Sequence, residues 1–478
     1  MPEELYLDQD SLKVSIPEDN NLVTLFWGDS IHVVERNADH LIVELDSRMK
    51  GEWVTRQASI PVKTKLRRDP VVLKVRFIDV GQGDAIFETP QGRLVVIDGG
   101  EHTNLVRYAS VLLHGLRKKK GDPVLFDAVI VTHRDADHFA GLTTMLGSRG
   151  KSGKPRFVPR AVFHNGLVKR PDKKQPEQEM FGKTVPEGDF LYCTELVDDL
   201  VACDPEAMNR PFREWREVLE RLRDPEMPFP IERLWFGRDD AFDFLAEEGE
   251  KLRINVLGPV VDTIGGKPAL RFLKKPGSKT SLSASHTING HSIVLKLTFG
   301  NVRFLFGADL NKESETRLLE KVKGNGLSLE AEILKVPHHG SHEFIPKVLA
   351  AISPVVSIIS SGDENPAKEY IHPRSGLVGA LGKYSRSSVE KPLIFATEMV
   401  AFFAEDKELY RKREPEEIGA GMKPYALVPD AYVKSQFGIV HIRTDGRRVL
   451  VFTHSGRRDL KEKYAFTVAE DGKIDFED

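Results

Sequence analysis

The run THRDADHFAGL, Thr132 to Leu142, follows directly on FDAVIVTH, a continuous apolar stretch that reads as a buried strand. His133, Asp135, Asp137 and His138 thus fall within six residues at a strand's end. A loop there can turn alternating side chains toward one point, and imidazole with carboxylate makes a ligand set for a divalent cation. Gly141 lets the following helix pack close. A charged loop that merely caps this helix, with Asp137 as the cap, would look similar, so the motif needs context.

Two further strand ends supply it. VRFLFGAD stops at Asp309, and AEILKV runs into Pro337, His338 and His339. Asp309 alone could cap the helix KESETRLLEKV. Three strand ends carrying ligand-type residues in one chain are hard to explain as three independent caps, and their convergence on a metal is the simpler account.

The rest of the chain alternates strands and helices. VVLKVRFIDVG, the hairpin AIFETPQGRLVVIDGG, LRINVLG, the hairpin turning at Gly300-Asn301, VVSIIS, PLIFAT and GIVHIRTDGRRVLVFT read as strands. Residues 104–119, 212–223, EFIPKVLAAI and RSGLVGALGKY have helical spacing. Two sheets packed together with helices outside, an α/β class, would accommodate this pattern. Residues 1–70 look separate: short runs such as IHVVE and HLIVEL suit a small β domain, a Src-homology-like barrel, with KTKLRRDP as linker. Residues 71–478 then form the main domain, with a less regular insert at about 147–250.

A length of 478 residues exceeds one ordinary core. The net charge of -3 excludes a globally basic nucleic-acid binder, so any such contact must come from a local patch. Cys193 and Cys203 match no metal or disulfide framework. No signal peptide and no run of about 18 apolar residues is seen. A soluble cytoplasmic protein without membrane contact is expected.

The set FIDVGQGDAIFETPQGRLVVIDGG, THRDADH, INGHSIVLKLTFGNVRFLFGADL, EILKVPHHGS and IHP resembles the metallo-β-lactamase superfamily, and within it the ComEC-type competence nuclease domain. The resemblance covers roughly residues 72–454 without the insert. It implies an αββα sandwich and one or two divalent ions per chain. His133, Asp135, Asp137 and His138 match the HxHxDH motif, Asp309 the bridging carboxylate and His339 the last ligand. Asp98 matches a buried aspartate that holds the ligand loop, and Asp84 a polar residue near the site. Asp135 stands where most of the superfamily has histidine, a change the ComEC-like branch shares. The added oxygen ligand hardens the site toward Mn²⁺ or Mg²⁺ relative to an all-imidazole zinc site. The middle histidine has no clear counterpart. Asn289 and Ser292 fit the branch's NxxS pattern, with His286 and His291 as neighbouring alternatives.

The expected chemistry is phosphodiester hydrolysis by metal-activated water, with DNA the first candidate substrate. Asp137 would orient the water, and His338 or His372 would donate a proton to the leaving group. Lys335 and Ser341 are candidate phosphate contacts. From Arg149 to Lys174 there are nine Lys or Arg (149, 151, 154, 156, 160, 169, 170, 173, 174) against one acid, Asp172. Such a strip could line the cleft through Arg156, Lys169 and Arg170, or it could be a solvated loop. Arg271, Lys274, Lys275 and Lys279 form a second cluster. A small cyclic nucleotide, phosphoester, lactone or amide substrate is the enzymatic alternative. The other is a module of a larger assembly, for example in defence, whose partner docks on the N-terminal domain or the insert.

Overall fold

A computed structural model describes residues 2–477 except 17–20, 50–51, 79–84, 101–102, 114–121, 172–175, 224–227, 249–250, 276, 279, 362–371, 403–409, 413–424, 428–431, 437–438 and 455–461. Asp84 and Lys279 therefore lie outside the described residues.

Two sheets pack face to face. The first has ten strands, in the order Ile231–Arg233, Val162–His164, Ala128–Ile130, Leu94–Ile97, Ala85–Glu88, Leu73–Phe77, Ile439–Thr444, Arg448–His454, Glu462–Val468 and Ile474–Phe476. The second has six: Leu252–Gly258, Val294–Phe299, Val302–Phe306, Ile333–Lys335, Val356–Ile359 and Leu393–Ala396. Nearly every residue of the central strands is apolar and buried, as expected of strands covered on both faces. Phe77, Val95 and Ile130 of the first sheet share one core with Leu295, Phe304 and Ile358 of the second.

Helices cover the outer faces. Asn104–Leu112, Ala136–Gly147 and Arg210–Leu222 lie on the first sheet through Leu105, Met145 and Trp215. Lys312–Gly324, Pro346–Ile352 and Ser375–Tyr384 lie on the second through Leu318, Leu349 and Leu381. Arg210–Leu222 shows how the sequence sets this up. Asn209 caps it by accepting from the Phe212 N–H, and Phe212, Trp215, Val218, Leu219 and Leu222 form its buried stripe. Trp215 is fully buried, and its truncation to Ala would cost about 3–5 kcal/mol.

The stretch 147–250 is more regular than its composition implies. Val162–His164 and Ile231–Arg233 extend the first sheet in parallel, and Arg210–Leu222 belongs to its helical layer. Charge and proline content hid short strands of three residues each.

Residues 3–67 form a five-stranded antiparallel sheet and a separate hairpin, Ser11–Ile16 with Asn21–Phe26, around their own core of Leu7, Val14, Ile31 and Val43. This unit rests on the late strands of the first sheet. Arg443 Nη1 donates to Trp27 O and to Asp29, and Arg448 and Lys463 both bond Asp10. Among the described residues no helix is long and apolar enough to cross a membrane.

Candidate metal centre

The parallel strands of both sheets point their carboxyl ends to one side, where ligands bind in open α/β sheets. Asp98 follows Leu94–Ile97, His133 follows Ala128–Ile130, Asp309 follows Val302–Phe306, and His338 and His339 follow Ile333–Lys335. The helix Ala136–Gly147 starts at the same place, and its approach is tight. A Cβ on Gly141 would sit 2.0 Å from Gly99 O, so only glycine allows the contact. Gly99 N–H donates to His138 O and Gly141 N–H to Gly100 O, both at 2.7 Å.

Four ligand atoms, from Asp137, His138, Asp309 and His339, lie within 4.8 Å of one another. Asp309 Oδ2 is 3.1 Å from His339 Nε2, 3.3 Å from His138 Nε2 and 3.9 Å from His133 Nε2. Hydrogen bonds from behind fix the rings. His138 Nδ1 faces Asp98 Oδ2 at 2.7 Å, and His339 Nδ1 faces Ser360 O at 3.0 Å. Each Nδ1 therefore carries the proton, and each Nε2 turns a lone pair inward. The two Nε2 atoms are 3.2 Å apart. Two lone pairs so placed repel unless a cation or a proton lies between them. His133 Nε2, Asp309 Oδ1, His338 Nδ1 and His372 Nδ1 are buried without a hydrogen-bond partner among the described residues. These residues fit a divalent cation.

Backbone strain marks the same spot. Among the described residues five non-glycines have positive φ, and four of them line this site: Asp98 (52°), Ala308 (46°), His338 (50°) and His339 (51°). Such conformations persist only where the surroundings impose them.

The electrostatics follow from burial and crowded carboxylates. Burial pushes the His133 imidazole well below its ordinary pKa. Burial also opposes a charge on His138, but Asp309, Asp98 and Asp137 override it and hold the ring's pKa well above normal. A proton thus substitutes where the cation would lie. Asp309 is held well below the carboxylate range by His339 and His138, against its own burial. Asp137, 22% exposed at the mouth, is raised to about 6 by burial and by Asp309.

Not every expected residue joins the cluster. Asp135 is held by the Lys169 ammonium at 3.0 Å. Asn289, with its amide turned so that nitrogen faces acceptors, donates to the other Asp135 oxygen at 3.0 Å. Ser292 Oγ donates to Asn289 O and accepts from Asp309 N–H at 3.3 Å, which ties that loop to the ligand. Asp98 accepts from Thr132 N–H and Oγ1 as well as facing His138, so it holds the motif loop. His291 points to Arg271 O at 2.7 Å, and His286 lies 3.8 Å from Glu343. Neither is among the converging groups.

The candidate substrate contacts divide. His372 and His338 face one another with ring centroids 6.2 Å apart, and His372 is 6.5 Å from His339. Burial lowers the pKa of both, to about 3 for His372. Burial thus disfavours the charged imidazolium of both in the free protein. Lys335, a candidate phosphate contact, is fully buried. Ser341 closes the His338–Gly340 turn, donating its N–H to His338 O, while its Oγ accepts from Glu343 N–H. Arg170 pairs with Glu195. Arg156 is far away. Its N–H bonds Ser148 O, just past the helix Ala136–Gly147, whose 12 residues span about 18 Å from the site. The strip 149–160 thus lies at the opposite end from the cleft. Thr132 and Ser360 were not anticipated. Thr132 adjoins the motif and was findable, but Ser360 acts through its carbonyl, which sequence does not mark.

Residues 78–154 match the sequence model of the Metallo-beta-lactamase superfamily. The matched stretch contains Asp98, His133, Asp135, Asp137 and His138. It supports that superfamily for the mixed α/β fold, and the His/Asp cluster supports a metal-dependent hydrolase. No curated protein matches the chain significantly.

Proposed function

We propose that this protein is a metal-dependent phosphodiesterase. The observation that carries the reading is the convergence of buried His138, Asp309 and His339 with the partly exposed Asp137. Bound there, a divalent cation such as Mn²⁺, Zn²⁺ or Mg²⁺ supplies Lewis acidity and lowers the pKa of a coordinated water. Asp137 would orient the attacking water and take up the proton it gives up. His338 and His372 present imidazoles to the leaving-group side. The negative charge of an arriving phosphate raises their pKa values and lets one of them protonate the leaving oxygen. Asp98 and Ser360 keep His138 and His339 in the ligating tautomer.

DNA is the first substrate to test, on the resemblance to the ComEC-type domain. A small phosphodiester is the second reading, favoured by the strip at 149–160 lying away from the mouth. A protein partner on the N-terminal unit is compatible with either. Purified protein is assayed with labelled DNA and with bis(p-nitrophenyl) phosphate in Mn²⁺, Mg²⁺ or Zn²⁺. Turnover abolished by chelator and by His138→Ala is expected. An intact metal-loaded protein that hydrolyses neither ester overturns the reading.

A further inference from the structure

Asp135 was expected to ligate metal, yet both of its oxygens are engaged elsewhere. Lys169 Nζ holds Oδ1 at 3.0 Å, and the Asn289 amide holds Oδ2 at 3.0 Å. The amide is itself anchored on Ser285 O. Asp135 is absent from the four-residue group whose ligand atoms converge. The neighbouring histidines do not replace it, since His291 is bonded to Arg271 O and His286 faces Glu343. A second grouping, Asp98, His133 and His138, shares His138 with the first, and Thr132 already occupies both Asp98 oxygens. Within that second grouping, His133 Nε2 is the one donor atom that no other residue holds.

Exposure separates floor from mouth. The side chains of His133, His138, Asp309 and His339 are 0–3% exposed, whereas Lys169 and Asp135 are 22% and 23% exposed. Asp135 also acts electrostatically on Asp137. The ammonium thus stands at the rim of the cluster, within reach of solvent and held in place by a carboxylate.

We propose that this chain holds a single divalent cation at Asp137, His138, Asp309 and His339, and that Lys169, clamped on Asp135, is the fixed cation that binds an anionic oxygen of the substrate. The inference deepens the phosphodiesterase reading and rests on it for the substrate class.

The test begins with metal stoichiometry, which needs no turnover. Mn²⁺ titration calorimetry and elemental analysis of the full chain should give one ion. Asp135→Asn should keep that ion with less than the roughly tenfold loss typical of an outer-shell partner, while Asp309→Asn should lose it. Two ions in the wild type, an exchange-coupled Mn²⁺ pair by electron paramagnetic resonance, or loss of an ion in Asp135→Asn overturns the proposal. The second arm measures inorganic phosphate binding to the metal-loaded protein. Lys169→Met should weaken it about tenfold with the ion count unchanged, and Lys169→Arg should restore most of it. Unchanged phosphate affinity in Lys169→Met overturns the role of the ammonium. If one ion and Lys169-dependent phosphate binding are found without hydrolysis, the proposal stands and the phosphodiesterase reading fails.

Discussion

The strand Ile333–Lys335 carries buried charge at both ends, and the two ends are built differently. At its start, Glu332 is 0% exposed and fully met. Its Oε1 takes Arg303 Nη2 at 2.6 Å and Arg386 Nη1 at 2.8 Å, and its Oε2 takes Arg303 N and Nε. At the strand's other end, the Nε2 atoms of His339 and His138 face one another at 3.2 Å, Asp309 Oδ1 is unmet and the backbone is strained. Desolvation penalises both clusters. One answers it with its own counter-charges, and the other is completed only by something from outside. Burial of charge therefore does not identify a functional site; unmet ligand-type groups that converge on one point mark a candidate.

That contrast can be broken by experiment. The largest expected effect is on chemistry. Asp309→Asn should abolish metal binding and hydrolysis while leaving the metal-free protein folded, since the amide is isosteric and can still bond His339. A large fall in its urea midpoint would show that Asp309 is structural. Glu332→Ala should do the reverse. It strands two arginines and should cost about 3–5 kcal/mol in urea unfolding, with metal affinity unchanged. Smaller is Asp98→Asn, which spoils the tautomer control of His138. Metal affinity measured by competition with a chromophoric chelator should fall about 10–100-fold.

The smallest effect concerns Glu88, the self-satisfied pair of Lys74 and Arg76 at 3.0 and 2.9 Å. Burial would raise its pKa, but the two cations hold it at about 2 against an ordinary 4.5. A depressed carboxylate stabilises the fold above its unfolded pKa. That contribution should be complete above about pH 4.5 and lost as pH falls toward 2. Glu88→Gln should flatten the stability profile in that window, and an unchanged slope would remove the assignment.

What the sequence disclosed followed physical locality. The clustered residues His133, Asp137, His138, Asp309 and His339 were legible because each sits at the end of an apolar run, and a strand end is a place as well as a pattern. The two-sheet layering was legible for the same reason. Position across the fold was not. Arg156 and Lys169 belong to one basic strip in sequence, yet a helix of 12 residues stands between Arg156 and the site, while Lys169 reaches Asp135. The partner of Asp135 was hidden because lysines are ordinarily solvated. Low hydrophobic content concealed the short strands of 147–250, which gain their burial from neighbours in the sheet.

The sheet order carries a consequence for synthesis. Leu73–Phe77 pairs on one side with Ile439–Thr444, a strand made only after the whole second sheet. During translation one edge of Leu73–Phe77 stays bare in the nascent chain until those late residues leave the ribosome. An exposed edge of this kind is a template for mispairing. The docking of the N-terminal unit through Arg443 and Arg448 therefore waits until those late strands are made.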